Sequence, residues 1–214
     1  MKNSKNMNID TDTCWYDTDT SSELMIKGAA AALPGWRKLE YSDHFPALKS
    51  LVDEVQNECT LLDIGCGAAE ASRVFNFFYV GADLASVIEN VSRKVHPGKR
   101  FLAFDIYDQT DDLSFISEYD VVLMNAFIDV LQHPLYGLDR ILKKAQKYVI
   151  LHRQEFDNNE TRCVKNPSYG GVTYHSIINV DEFNNTLKDN GFEVVKEESV
   201  PYSGEVKSLL LKKI

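Results

Sequence analysis

From Thr60 onward the sequence alternates short apolar runs with stretches of helical spacing, and this alternation limits the fold more than any other feature. The apolar runs fall at 60–64 (TLLDI), 78–83 (FYVGAD), 100–104 (RFLAF), 119–124 (YDVVLM) and 147–152 (KYVILH). Helical patterns lie near 68–76, 85–94, 112–117 and 129–144, and again at 181–190. Strands separated by helices return parallel to one another, because a parallel neighbour needs a crossover long enough to hold a helix. The chain end breaks the pattern. Gly191-Phe192-Glu193-Val194-Val195 is followed by Ser203-Gly204 and then Val206-Lys207-Ser208-Leu209-Leu210-Leu211. Two strands joined by so short a loop run antiparallel. The expectation is a doubly wound α/β sheet of seven strands, five parallel plus a C-terminal antiparallel hairpin, with helices on both faces.

The first 59 residues have a different texture. Residues 1–13 are rich in Asn, Asp, Thr and Lys, a composition expected to be disordered. Residues 14–59 read as an N-terminal helical lid segment. One helix starts at Ser21-Ser22-Glu23 and is stopped by Pro34-Gly35, and a second runs from Phe45 to Val55. Trp15 and Tyr16 precede them; they either fold over a ligand or anchor the first helix as core aromatics. No linker separates this segment from residues 60–214, so a single domain is expected, and 214 residues suffice for a substantial core.

Several function classes drop out. No run of about 18 apolar residues is present, so no membrane span is expected. The N-terminus is polar and lacks the apolar stretch of a secretory signal. Cysteines at 14, 59, 66 and 163 have no metal-ligand spacing; they read as reduced thiols in a cytoplasmic protein, with no metal. A net charge of −9 argues against wrapping a nucleic-acid backbone. The one basic stretch, Arg140 to Lys147 (RILKKAQK), reads as the solvated end of a helix rather than a phosphate patch.

The loop after the first run, Leu62-Asp63-Ile64-Gly65-Cys66-Gly67, is placed to bind a ligand. Ligands of open α/β sheets sit outside the carboxyl ends of the strands where the strand order reverses. Glycines there let the chain turn sharply and let a ligand approach the backbone. A dinucleotide loop would carry a third glycine where Glu70 stands, and a phosphate loop would end in Gly-Lys-Ser/Thr, which is absent. A carboxylate ahead of the glycines suits a ligand with positive charge near the loop.

These residues resemble motif I of the class I S-adenosylmethionine-dependent methyltransferases, and further motifs follow in order over roughly 60–214. Val80-Gly81-Ala82-Asp83 resembles the end of the family's second strand and Phe104-Asp105-Ile106 that of the third. Tyr119-Asp120-Val121-Val122 opens a strand ending at Met124-Asn125-Ala126, Val130-Leu131-Gln132-His133 resembles the leucine-x-histidine stretch, and 184–192 resembles the C-terminal helix. Departures are Ala69 for a frequent third glycine, and Lys144-Ala145-Gln146-Lys147 for a proline-glycine turn. The resemblance implies a Rossmann-like methyltransferase domain with S-adenosyl-L-methionine as cofactor. It implies cofactor contacts from Asp63, Gly65, Cys66, Gly67, Asp83, Leu84, Asp105, Ile106, Asn125 and Ala126. Asp83 would accept from the ribose hydroxyls and Asp105 would meet the adenine amino group. Cys66 also reads as a small packing residue, and His133 as structural at a helix start.

The acceptor side is less legible. An oxygen nucleophile needs a base, and candidates must lie past strand ends. His152 is the first candidate, because it closes the fifth run and an unperturbed histidine titrates near neutral pH; the alternative is a histidine bonded to a loop carbonyl. His175 is the second. Arg153 is a candidate for an acidic substrate group. Residues 156–178 read as an irregular insertion, a lid or substrate wall carrying Tyr169 and Tyr174, with Tyr16 as a further substrate contact. The expected activity is methyl transfer to a small molecule at oxygen, by a protein that could form a homodimer. A transferase acting on a protein or RNA partner, and a non-catalytic binding protein, are the alternatives.

Overall fold

All five expected central runs form strands in the structure, a computed structural model that describes residues 18–33, 37–168, 171–202 and 204–214. They are β1 (Thr60–Ile64), β2 (Phe78–Asp83), β3 (Arg100–Ala103), β4 (Val121–Asn125) and β5 (Tyr148–Asp157). All pair in parallel, in the order β3-β2-β1-β4-β5. The chain winds outward from β1 in one direction and then from β4 in the other. The reversal therefore lies between β1 and β4, and the crevice above their carboxyl ends is where such a sheet binds ligands.

The sheet is buried on both sides, so successive strand residues are apolar rather than alternating. Leu61, Leu123 and Ile150 pack beneath the helix α2 (Phe45–Glu54), against Leu48, Leu51 and Val52. Leu62, Met124 and Leu151 face the other way, in a core with Leu138 and Ile141 of α6 (Pro134–Leu142) and Phe183 and Leu187 of α7 (Val180–Asp189). The remaining helices are shorter than their patterns suggest. α1 spans Asp19–Ala29, capped by Thr18 through a reciprocal bond with Ser21. Only Ala71–Val74 (α3) of the expected 68–76 is helical, since the loop before it holds Ala69 at φ 56°. A π turn, Ile88–Ser92, joins α4 (Ala85–Val87) to α5 (Arg93–Val95). The expected 112–117 helix is a 3-10 helix, Leu113–Glu118. The expected 129–144 helix is broken into a 3-10 turn, Ile128–Val130, and α6, because Pro134 disfavours helical backbone at the residue before it.

The insertion is where the structure corrects the sequence reading most. The described residues of 156–178 are not irregular. β5 continues to Asp157, and β6 (Arg162–Ser168) pairs antiparallel with β7 (Gly171–Asn179). β7 in turn lies parallel to β5, with Glu155 opposite Ile177 and Asp157 opposite Asn179. The C-terminal hairpin, β8 (Phe192–Ser199) and β9 (Val206–Lys213), runs antiparallel as expected, and β9 takes the edge of β5 away from β4. Glu155 pairs with Val206 on that edge and with Ile177 on the other. β7 therefore occupies the β4 side of β5, above the point where β4 ends. Among the described residues the sheet has nine strands rather than seven, and the extra pair stands over the crevice.

Candidate active site

A cavity of about 510 Å³ opens above the carboxyl ends of β1 and β4, within the usual range for small-molecule sites. One end is built by the glycine loop. Gly65 has φ 68° and Gly67 φ 49°, backbone that side chains rarely adopt. The two glycines meet different surroundings. A methyl on Gly65 would stand 2.3 Å from Cδ2 of Phe127, whereas one on Gly67 would find only the Met25 sulfur, at 3.8 Å. Gly65 thus makes room for an aromatic ring, and Gly67 leaves its face open to a ligand. Ser92, fully buried in the π turn, donates to the Gly67 carbonyl at 2.7 Å and so fixes the loop from behind.

Asp83 ends β2 at the cavity wall. Its carboxylate accepts from Gly67 N–H and Leu84 N–H, both at 2.8 Å. Burial raises its pKa to about 6, against the pull of those two amides. Leu84, Asp105 and Ile106 line the same end with Val87 and Phe104. Asp105 caps its own loop, accepting from Tyr107 N–H at 2.8 Å while its own N–H bonds Asp111. That loop is clamped by Arg140, which donates to the carbonyls of Ile106 (2.6 Å), Asp108 (2.8 Å) and Asp111 (2.9 Å). The rest of the basic stretch is paired on the surface, Lys143 with Asp139, Lys144 with Asp112 and Lys147 with Glu58. No phosphate patch forms there.

Three of the residues expected at the cofactor do not line the cavity. Asp63 is buried behind the loop, where its Oδ2 accepts from the Tyr79 hydroxyl at 2.7 Å and its Oδ1 has no partner. Burial raises its pKa to about 7. Cys66 points into the core toward Gly81, where an added methyl would be 2.8 Å from its sulfur; burial pushes its thiol up. Asn125 turns its amide oxygen to Arg153, at 3.1 Å. Gly65, Gly67, Asp83, Leu84, Asp105, Ile106 and Ala126 do line it.

The other end is walled by the 3-10 turn Ile128–Val130 (Asp129 and Val130), by Arg153 of β5, and by Asn166, Thr173, Tyr174 and His175 of the inserted hairpin. His175 bonds the Glu155 carboxylate through Nε2 at 2.7 Å. Burial raises the Asp129 pKa to about 6 while Arg153 and His175 draw it down, and its Oδ1 is unpartnered. His152 is placed differently from its expected role. It is 1% exposed, faces α2, and has both ring nitrogens engaged, with Ser208 Oγ at 2.6 Å and His44 Nδ1 at 2.9 Å. Burial holds its pKa well below the usual histidine range, so it has neither access nor proton affinity for a base. Tyr16 and Tyr169 lie outside the described residues. Asp129, Ser92 and His44 carry no motif signal in the sequence.

Among the described residues no cluster could hold a metal, Cys59, Cys66 and Cys163 are free thiols, and no helix is long and apolar enough to cross a membrane. Residues 36–197 match the model of a methyltransferase-domain family. No curated protein matches the chain in sequence. Solved structures resemble it in fold. CalS10 with SAM bound, an amino pentose methyltransferase from Micromonospora echinaspora, is 17% identical, covering 86% of this chain and 96% of its own, with a TM-score of 0.58. The Burkholderia thailandensis 1,6-didemethyltoxoflavin-N1-methyltransferase, with its acceptor and S-adenosylhomocysteine, is 15% identical over 92% of this chain and 88% of its own, TM-score 0.61. Magnesium protoporphyrin IX methyltransferase from Synechocystis PCC 6803 is 13% identical over 90% and 99%, TM-score 0.54. The strand order, the open glycine face beside Asp83, and a family match over most of the length agree: the chain belongs to the class I S-adenosylmethionine-dependent methyltransferases.

Proposed function

We propose that this methyltransferase acts on a hydroxyl oxygen of a small molecule, with His175 as general base. The observation that carries the reading is His175 in the cavity wall, bonded to the Glu155 carboxylate behind it. Glu155 accepts a hydrogen bond from the Nε2–H, so the tautomer with a basic Nδ1 is favoured, and that nitrogen has no partner among the described residues. Structural neighbours named for small acceptors support the substrate class, and free thiols support a cytoplasmic setting.

The residues present fit the cofactor. Gly67 offers an open backbone face, Asp83 a carboxylate for the ribose hydroxyls, Asp105 and Ile106 a wall for the adenine, and Gly65 and Ala126 the floor beneath the amino-acid portion. S-adenosylmethionine supplies a methyl group on a positively charged sulfur, transferred by in-line displacement. The chain aligns the acceptor with that methyl, and orientation of this kind contributes on the order of 7–11 kcal/mol. His175 Nδ1 receives the hydroxyl proton, and Glu155 stabilises the imidazolium that results, as a carboxylate does for any base it orients.

The test is methyl-labelled cofactor in a cell extract. Label should enter the small-molecule fraction as an O-methyl product. His175→Ala should slow transfer by roughly 10²- to 10⁴-fold with cofactor affinity unchanged. Label in protein or RNA, an N-methyl product, or an undiminished rate in the variant would each overturn the assignment.

A further inference from the structure

We propose that Arg153 is an anion seat that takes the carboxylate of a ligand bound in the cavity; this rests on reading the cavity as the methyl-transfer site. Arg153 sits in a β-bulge, where β5 spends two residues, 152 and 153, against the single Ser208 of β9. Bulges beside active sites re-aim side chains. The bulge holds Arg153 at φ 67°, a left-handed conformation that a non-glycine residue keeps only when its surroundings demand it. The side chain so aimed lines the cavity.

Everything that holds the guanidinium is neutral. It donates to the Asn125 amide oxygen at 3.1 Å and faces His44 Nε2 at 3.5 Å. With His44 Nε2 as acceptor, its Nδ1–H donates to His152 Nε2, and His152 Nδ1–H to Ser208 Oγ. One set of tautomers satisfies the whole chain and braces Arg153 from behind. No carboxylate of the described residues lies within 4.0 Å of it, and its Nε is buried without a partner. Asp129 shares the cavity but acts on Arg153 only at longer range. Buried charges in proteins are otherwise paired, and a guanidinium fork matches a carboxylate in particular. The missing partner is a ligand group. It comes either from the acceptor or from the amino-acid portion of the cofactor.

Calorimetry on the full chain separates the two sources. The first pair of probes is S-adenosylhomocysteine and the analogue with hydrogen in place of its carboxylate. The second pair, added to protein saturated with S-adenosylhomocysteine, is benzoate and benzamide. The carboxylate member of one pair should bind roughly tenfold to a hundredfold tighter. Arg153→Gln should abolish that preference and Arg153→Lys should keep part of it. A preference in the benzoate pair assigns the seat to the acceptor, and one in the first pair assigns it to the cofactor. No preference in either pair with wild-type protein, or a preference that survives Arg153→Gln, overturns the proposal. Failure of S-adenosylhomocysteine to bind at all would instead overturn the reading of the cavity.

Discussion

Replacing Asp63 by asparagine should make the protein more stable at neutral pH, although Asp63 lies inside the most recognisable motif of the sequence. In the fold its pKa rises from an ordinary 3.8 to about 7, mainly through burial and further through the neighbouring Asp83 charge, while the Tyr79 hydroxyl pulls it down. Below about pH 4 the group is protonated in both states and contributes no pH dependence. Between about 4 and 7 the unfolded chain releases this proton while the folded chain keeps it, so stability falls as pH rises through that window. Each factor of ten in proton affinity is about 1.4 kcal/mol, so the whole window amounts to about 4 kcal/mol. The amide that replaces the carboxyl cannot ionise. Urea unfolding of both proteins at several pH values should give a gap that widens in favour of Asp63→Asn from about pH 4 to about pH 7 and then levels. The gap is the quantity to read, because other groups bend each single curve. A gap that stays constant, or widens toward acid, would refute the argument. Because the carboxyl does not line the cavity, S-adenosylhomocysteine affinity should change by less than about tenfold.

Three other perturbations have clear outcomes. His44, with its pKa lowered to about 3 by burial, and His152, held well below the usual histidine range by the same cause, bind protons only when unfolded in mild acid. Their stabilisation is present above about pH 6.5 and is lost as pH falls, so His44→Gln should flatten the acid limb of the stability curve. Gly65→Ala meets both a positive φ and the Phe127 ring; it should destabilise by about 2–5 kcal/mol in denaturant melts and abolish S-adenosylhomocysteine binding by calorimetry. Arg140→Ala frees three carbonyls of the 105–111 loop. It should speed amide exchange in that loop and weaken S-adenosylhomocysteine by roughly tenfold, with the His175–Glu155 pair untouched.

What was legible in the sequence is what repeats along it. The five central strands, their parallel pairing and the glycine-loop end of the cavity follow from local patterns, short apolar runs that alternate with helical segments, the first three closed by glycine or aspartate. Cys66 shows the limit of motif logic. Its neighbours line the cavity, but the side chain between two left-handed glycines points inward, into space that Gly81 leaves by having no Cβ. Nothing adjacent in the sequence states that Gly81 and Cys66 are in contact.

The cavity end walled by β5 and the inserted hairpin was illegible for a topological reason. Its residues are brought together by pairing between β5 and β7, and that pairing was hidden. The run 162–179 mixes Lys165, Asn166, Pro167 and two glycines with its β-branched residues, so it lacks an unbroken strand signature. Read as a loop, it leaves β5 ending at His152, which then looks like the residue nearest the chemistry. Read as a hairpin, it extends β5 by five residues, to Asp157. Glu155, opposite Ile177, then becomes a diagonal neighbour of His175 on the same face, the geometry in which cross-strand side chains touch. The same extension allows the bulge at 152–153. Alternation alone sends consecutive residues to opposite faces, and here it turns His152 beneath α2 and Arg153 into the cavity. A single unrecognised strand partner therefore moves the candidate base from residue 152 to residue 175, and the assay that separates them is direct. His175→Ala should remove turnover with the fold intact, whereas His152→Ala should lower stability by leaving His44 and Ser208 without their buried partner, at about 1–3 kcal/mol for each unsatisfied group.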